Sequence, residues 1–182
     1  MTVDRDRVLR SAAALLTRKA TATMDEVARA AGIGRATLHR HFAGRDALIK
    51  ALEDLGLREL DAALDAARLD EDTATEALRR LIAGSEPAAG LFAFLITENQ
   101  LFEGEQNQGW DRIDARIAAL FRRGQESGEF RIDLGPAWLT DALYGLVTSA
   151  AWSIQDGRSA GKDYQHMIVE LLLGGVRRSV EK

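Results

Sequence analysis

Thr23-Met24-Asp25-Glu26-Val27-Ala28-Arg29-Ala30-Ala31-Gly32-Ile33-Gly34-Arg35-Ala36-Thr37-Leu38-His39-Arg40-His41-Phe42 is the stretch on which the fold turns. Thr23 and Glu26 are spaced as a capping box, the hydroxyl taking a backbone N–H while the carboxylate reaches back three residues. A short helix over about 24–31 follows. Gly32 stands where a helix C-terminus needs positive φ, and a second short helix over about 35–41 ends at Phe42-Ala43-Gly44. Helix, glycine turn and helix make a helix-turn-helix whose second member has a length suited to the major groove of DNA. Ala28 is small where the two helices cross, and Val27, Ile33 and Leu38 are the apolar residues that lock both onto a first helix at about 4–19, through Val8, Ala12, Leu15 and Leu16. The outer face of the second short helix then offers Arg35, Thr37, His39, Arg40 and His41. These are donors for base edges and phosphates, with no carboxylate among them.

The charge distribution agrees with that reading. Residues 1–50 hold ten Lys or Arg against five Asp or Glu, whereas residues 51–182 hold fourteen against twenty-three, so a basic head sits on an acidic body within a net charge of −4. The head is expected to meet a polyanion and the body is not.

Working outward, helical spacing runs nearly end to end through the 182 residues, and the fold class is all-α with about nine helices and no strand. The fourth helix carries Leu48, Leu52, Leu55 and Leu60 from 45 to about 67, and the charged break Arg68-Leu69-Asp70-Glu71-Asp72 marks the boundary between residues 1–50, with their helical extension, and residues 68–182. Further helices are expected at about 73–84, 87–103, 109–127, 136–156 and 161–180, the first two separated at Ser85-Glu86-Pro87. The absence of cysteine excludes disulfides and thiolate chemistry, and three histidines leave little for a metal cluster. His39 and His41, two residues apart, do not share a helix face, so no metal site is expected. No apolar run approaches the roughly 20 residues of a bilayer helix, and Met1 to Arg10 lacks a signal-peptide core, which points to a cytoplasmic protein without membrane partners. No catalytic residue is assigned and no cofactor is expected, since the chain has neither a glycine-rich phosphate loop after a strand nor a nucleophile elbow.

Residues 23–42, followed by Arg45-Asp46-Ala47-Leu48, resemble the DNA-binding domain of the tetracycline-repressor (TetR) family of regulators. The resemblance covers about 45 residues and implies a homodimer that binds a palindromic double-stranded operator, usually as a repressor, and leaves it when a small-molecule inducer enters the C-terminal domain. Carried over by position, it implies base reading by Arg35, Ala36 and Thr37 and backbone contact by His39 and His41. Arg45 replaces the usual lysine at the start of the fourth helix as a phosphate contact, and Thr23 and Arg40 complete the DNA-binding set. His39 stands in place of a typical tyrosine and Gly34 in place of a common serine cap.

In the body, Leu91, Leu95, Glu98 and Phe102 share one stripe, so a carboxylate points into an apolar face, where it must find a partner or a cavity. Trp110, Trp138, Tyr144 and Trp152 read singly as core. The candidate ligand-binding set is Phe92, Leu95, Glu98, Phe102, Trp110, Tyr144 and Trp152, for a mostly apolar compound with one polar or cationic group near Glu98. The last two helices are broadly apolar, and pairing them with a second copy through Ala142, Leu146, Ser149, Ala150, Met167, Leu171 and Gly174 buries the excess. Two other readings stand beside this one: an enzyme domain carrying a DNA-binding head, and a DNA binder that answers to no ligand.

Overall fold

The computed structural model describes residues 4–97 and 108–177. Among them are eight α-helices: α1 (Arg5–Arg18), α2 (Met24–Ala30), α3 (Arg35–His41), α4 (Arg45–Ala67), α5 (Ala74–Thr97), α6 (Gln108–Glu126), α7 (Pro136–Gln155) and α8 (Tyr164–Val176), the last preceded by a 3-10 turn. The only β-type pairing among the described residues is an isolated bridge between Phe130 and Arg177.

Two of the nine expected helices are one. α5 runs unbroken through Ser85-Glu86-Pro87. Proline forfeits the bond to the carbonyl four residues earlier, but Ala83, Gly84, Glu86 and Pro87 are exposed, so water can satisfy the freed group. On the opposite side Leu81, Ile82, Ser85, Ala88 and Ala89 are buried and hold both halves on the core. Ser85 Oγ also donates to the Ile82 carbonyl at 2.8 Å and meets the Tyr164 hydroxyl at 2.9 Å. Packing outweighs the local breaker.

The charged break after α4 is a fastened turn. Arg68 caps α4 with left-handed backbone. Arg80, nearly two turns into α5, reaches back to the carbonyls of Ala67, Arg68 and Glu71 and to the Asp72 carboxylate at 2.8–3.1 Å. The Thr73 hydroxyl caps α5 by accepting from the Glu76 N–H at 3.1 Å, and the Glu129 carboxylate accepts from the N–H groups of Ala74 and Thr75 at 3.0 and 2.9 Å. Burial pushes this carboxyl up, but those N–H groups and the nearby hydroxyls outweigh it and hold it below its ordinary value.

One apolar cluster extends from Val8 to Val176, so the head is packed directly on the body. At the end of α1 the Thr17 hydroxyl donates to the Gly90 carbonyl of α5 at 3.2 Å, and Gln155 at the end of α7 donates to the Thr17 carbonyl. α4 and α6 are tied by Arg112 to Asp61 and by Arg116 to Asp61 and Asp65.

Candidate DNA interface and ligand cavity

The head is built by local rules. Both halves of the capping box are present: Thr23 Oγ1 accepts from the Glu26 N–H, and Glu26 Oε2 accepts from the Thr23 N–H at 2.8 Å. The Lys19 ammonium at 2.6 Å, with that Thr23 N–H, holds the Glu26 carboxyl at about 2. α2 ends as the glycine demands, with Gly32 at φ 67°. The Ile33 N–H returns to the Ala28 carbonyl and the Gly32 N–H to that of Arg29, a Schellman closure that sets the angle of α3. Val27, Ala28 and Leu38 are buried and Ile33 is half-buried against them.

That packing leaves Arg35, Ala36, His39 and Arg40 exposed on α3, with Thr37 and His41 half-buried at its edges. The donors expected from the sequence do share a face, but three are already engaged. Arg35 pairs with Asp25 of α2 at 3.3 Å, so a carboxylate does stand beside this face, contributed by the neighbouring helix. Arg40 donates to Thr37 Oγ1 at 3.2 Å. The Thr23 hydroxyl belongs to its cap.

Arg45, the expected phosphate contact at the start of α4, is engaged within the chain. Its guanidinium donates to the carbonyls of Ala20 and Ala22 at 2.6 and 2.9 Å, pinning the α1–α2 turn to the start of α4. The turn leaves these two carbonyls without helical partners, and the guanidinium supplies them with a charged donor. Arg45→Ala is therefore expected to destabilise the protein by about 1–3 kcal/mol, read by urea unfolding, while leaving the salt dependence of DNA binding unchanged. A lower salt slope with unchanged stability would restore the phosphate role.

In the body, α5, α6 and α7 border an open cavity of about 510 Å³, within the range of small-molecule sites. Phe92 and Ile96 of α5, Trp110 and Asp114 of α6, and Asp141, Tyr144, Thr148 and Trp152 of α7 line it. The Phe92 ring lies 5.8 Å from that of Trp110 and 5.0 Å from that of Tyr144. Trp110 is held by its indole N–H on the buried Glu53 carboxylate at 3.1 Å, and the Tyr144 hydroxyl donates to Asp114 at 2.5 Å. Burial pushes the Asp114 carboxyl above its ordinary value; the Tyr144 hydroxyl opposes this, while the charges of Asp141 and Asp111 add to it. Burial, then Asp114, drives the Tyr144 hydroxyl strongly upward.

Of the expected ligand set, the structure brings together Phe92, Trp110, Tyr144 and Trp152. Leu95 is corrected to core: fully buried, it packs on Gly56 of α4, its Cδ1 only 3.1 Å from where a Cβ would stand. Glu98 and Phe102 lie outside the described residues. Asp114, Asp141 and Thr148 were missed. The signal was a helical offset: Asp114 follows Trp110 by four, while Asp141 and Thr148 flank Tyr144 by three and four.

A second depression, about 430 Å³, crosses α7 and α8. Ala142, Leu146, Ser149 and Leu171 line it with Trp138, and Leu171 and Trp138 are 66% and 60% exposed. Trp138 and Trp152, read as core, are both corrected to surface positions. Gly174 is exposed beside the groove, whereas Met167 is half-buried against the core. Ala150, one turn beyond Leu146, is buried inside the protomer and drops out of the interface set.

The family model for bacterial regulatory proteins of the tetR family matches residues 8–52. The HTH-type transcriptional regulator NfxB of Pseudomonas aeruginosa is 32% identical over 173 residues, covering 93% of this chain and 92% of that one. The HTH-type transcriptional repressor LfrR of Mycolicibacterium smegmatis is 25% identical over 171 residues, covering 93% and 86%. Among solved structures, LfrR in complex with proflavine superposes with a TM-score of 0.79 at 24% identity over 96% of this chain and 97% of that one. The regulator PfmR of Thermus thermophilus gives 0.69 at 27% identity over 98% and 100%.

Proposed function

Because this chain belongs to the TetR family and is a DNA-binding transcriptional regulator, we propose that it acts as a homodimeric repressor, released from a palindromic operator when a small molecule occupies the α5–α7 cavity. The exposed α3 face carries the reading: Arg35, Thr37, His39 and Arg40 stand on a helix fixed by Gly32 and by buried Leu38, ready for a major groove. Residues 1–50 with α4 form the DNA-binding unit, and residues 68–182 the ligand-binding and pairing unit. A second copy meets α7 and α8 at the groove over Leu146 and Leu171, placing two α3 helices on half-sites about 34–36 Å apart. The relative solved with proflavine, a flat aromatic compound, supports small aromatic molecules as the occupants.

Coupling runs through the end of α1. Phe92 lies two residues beyond Gly90, and Trp152 three residues before Gln155, so filling the cavity displaces the two helices that hold Thr17. A preference of about 1–3 kcal/mol for the displaced state changes operator affinity some 5- to 150-fold.

Selection of bound duplexes from a random pool tests the proposal, with a two-fold symmetric site as the expected product. On that site Arg35→Ala is expected to lose about 1–3 kcal/mol of discrimination at one base pair of each half-site, the value of a bidentate contact to guanine. Recovery of unrelated, asymmetric sequences would sink the operator reading, and a uniform loss across sequences would make Arg35 a phosphate contact.

A further inference from the structure

Thr148 is 4% exposed, faces the α5–α7 cavity, and its hydroxyl has no hydrogen-bond partner among the described residues. Buried hydroxyls rarely stay unmatched, because nothing repays the water they lose. The cavity's charge is unbalanced as well. Among the described residues its lining holds two carboxylates, Asp114 and Asp141, both exposed, and no Lys, Arg or His. Asp114 receives only the neutral Tyr144 hydroxyl. Four aromatic rings, those of Phe92, Trp110, Tyr144 and Trp152, line the cavity together with Ile96, Gly145 and Ser149, and ring faces attract cations while repelling anions.

We infer that the cavity takes a flat aromatic cation bearing an N–H donor, its charge against Asp114 and Asp141 and its N–H on the Thr148 hydroxyl. This rests on the ligand-responsive reading above and adds the ligand's charge and polarity. Asp141, Tyr144 and Thr148 follow one face of α7 at intervals of three and four, so the carboxylate and the hydroxyl are separated by about 10 Å along the helix. That span suits a fused ring system lying along α7 between Phe92 and Trp152. A neutral hydrocarbon leaves the hydroxyl unmatched and Asp114 without a counter-charge. An organic anion meets two like charges, both at exposed positions of the lining.

Two probes separate charge from shape: aminoacridine, a cation at neutral pH with an exocyclic amine, and acridine, with the same three rings but neutral and without an N–H. Binding to the full chain is followed by quenching of Trp110 and Trp152 fluorescence. The wild type is expected to bind the cation about tenfold or more tightly than acridine. Asp114→Asn combined with Asp141→Asn is expected to abolish that preference while leaving acridine affinity unchanged, which also reports an intact cavity. Thr148→Val is expected to weaken the cation several-fold and acridine not at all, with Thr148→Ser restoring the loss. Equal affinity for both probes, or indifference of the cation to the carboxylate pair, overturns the charge assignment but leaves the cavity a ligand site. Full cation affinity in Thr148→Val overturns the hydroxyl's role. If neither probe binds while selected duplexes still do, the inference falls together with the ligand-responsive reading, and DNA recognition stands.

Discussion

Alanine at Gly124 is expected to destabilise the protein by about 3 kcal/mol, lowering its melting temperature by about 6–12 °C. A Cβ there would stand 2.1 Å from Cδ2 of Phe130, so one of the two must move. Phe130 has no room to do so. It is fully buried, its ring is 6.0 Å from that of Phe121, and its N–H donates to the Gly124 carbonyl at 2.9 Å. The adjoining Glu129 accepts from the first N–H groups of α5, so displacing Phe130 also pulls on the Ala74 and Thr75 amides. Differential scanning calorimetry of the variant measures the effect, and adding Phe130→Leu is expected to recover part of it. An unchanged melting temperature would mean that the ring has an alternative seat.

Arginine at Leu171 is expected to leave the fold intact and abolish pairing. The side chain is two-thirds exposed in the single chain, so a charge there meets water unless a second copy covers it. Covered, it becomes an unpaired buried guanidinium, which costs about 3–5 kcal/mol. The two heads then bind as separate modules, and operator affinity falls about 10²- to 10⁴-fold through loss of effective concentration alone. Light scattering and mobility-shift titration read the two effects together. Dimers of undiminished affinity in Leu171→Arg would move the interface elsewhere.

The helix-turn-helix was legible because its determinants are local. The cap is three residues long, the turn is one glycine, and the apolar residues of α2 and α3 have a single face to choose. The structural tie made by Arg45 was not legible for the opposite reason: its partners, the Ala20 and Ala22 carbonyls, are more than twenty residues away, and no spacing rule announces a turn that needs a donor. Pro87 misled in the same way, since only the tertiary environment shows that α5 exposes the face on which the lost bond falls. In the cavity the aromatic residues stood out by type, while Asp114 and Asp141 read as solvated charges on amphipathic helices and are exposed. That both border one cavity depends on α6 and α7 lying side by side, which periodicity within one helix cannot report.

Gly145 and Ser149 line both the cavity and the groove, so one strip of α7 separates the two. Where a second copy occupies the groove, any enlargement of these residues intrudes on the ligand and the neighbouring subunit at once. Variation that broadens the range of accepted compounds then carries a penalty in assembly on this wall and none on the walls formed by α5 and α6. Chemical repertoire is therefore expected to diversify around Phe92, Ile96 and Trp110, and directed evolution of a new sensor should begin with those three positions.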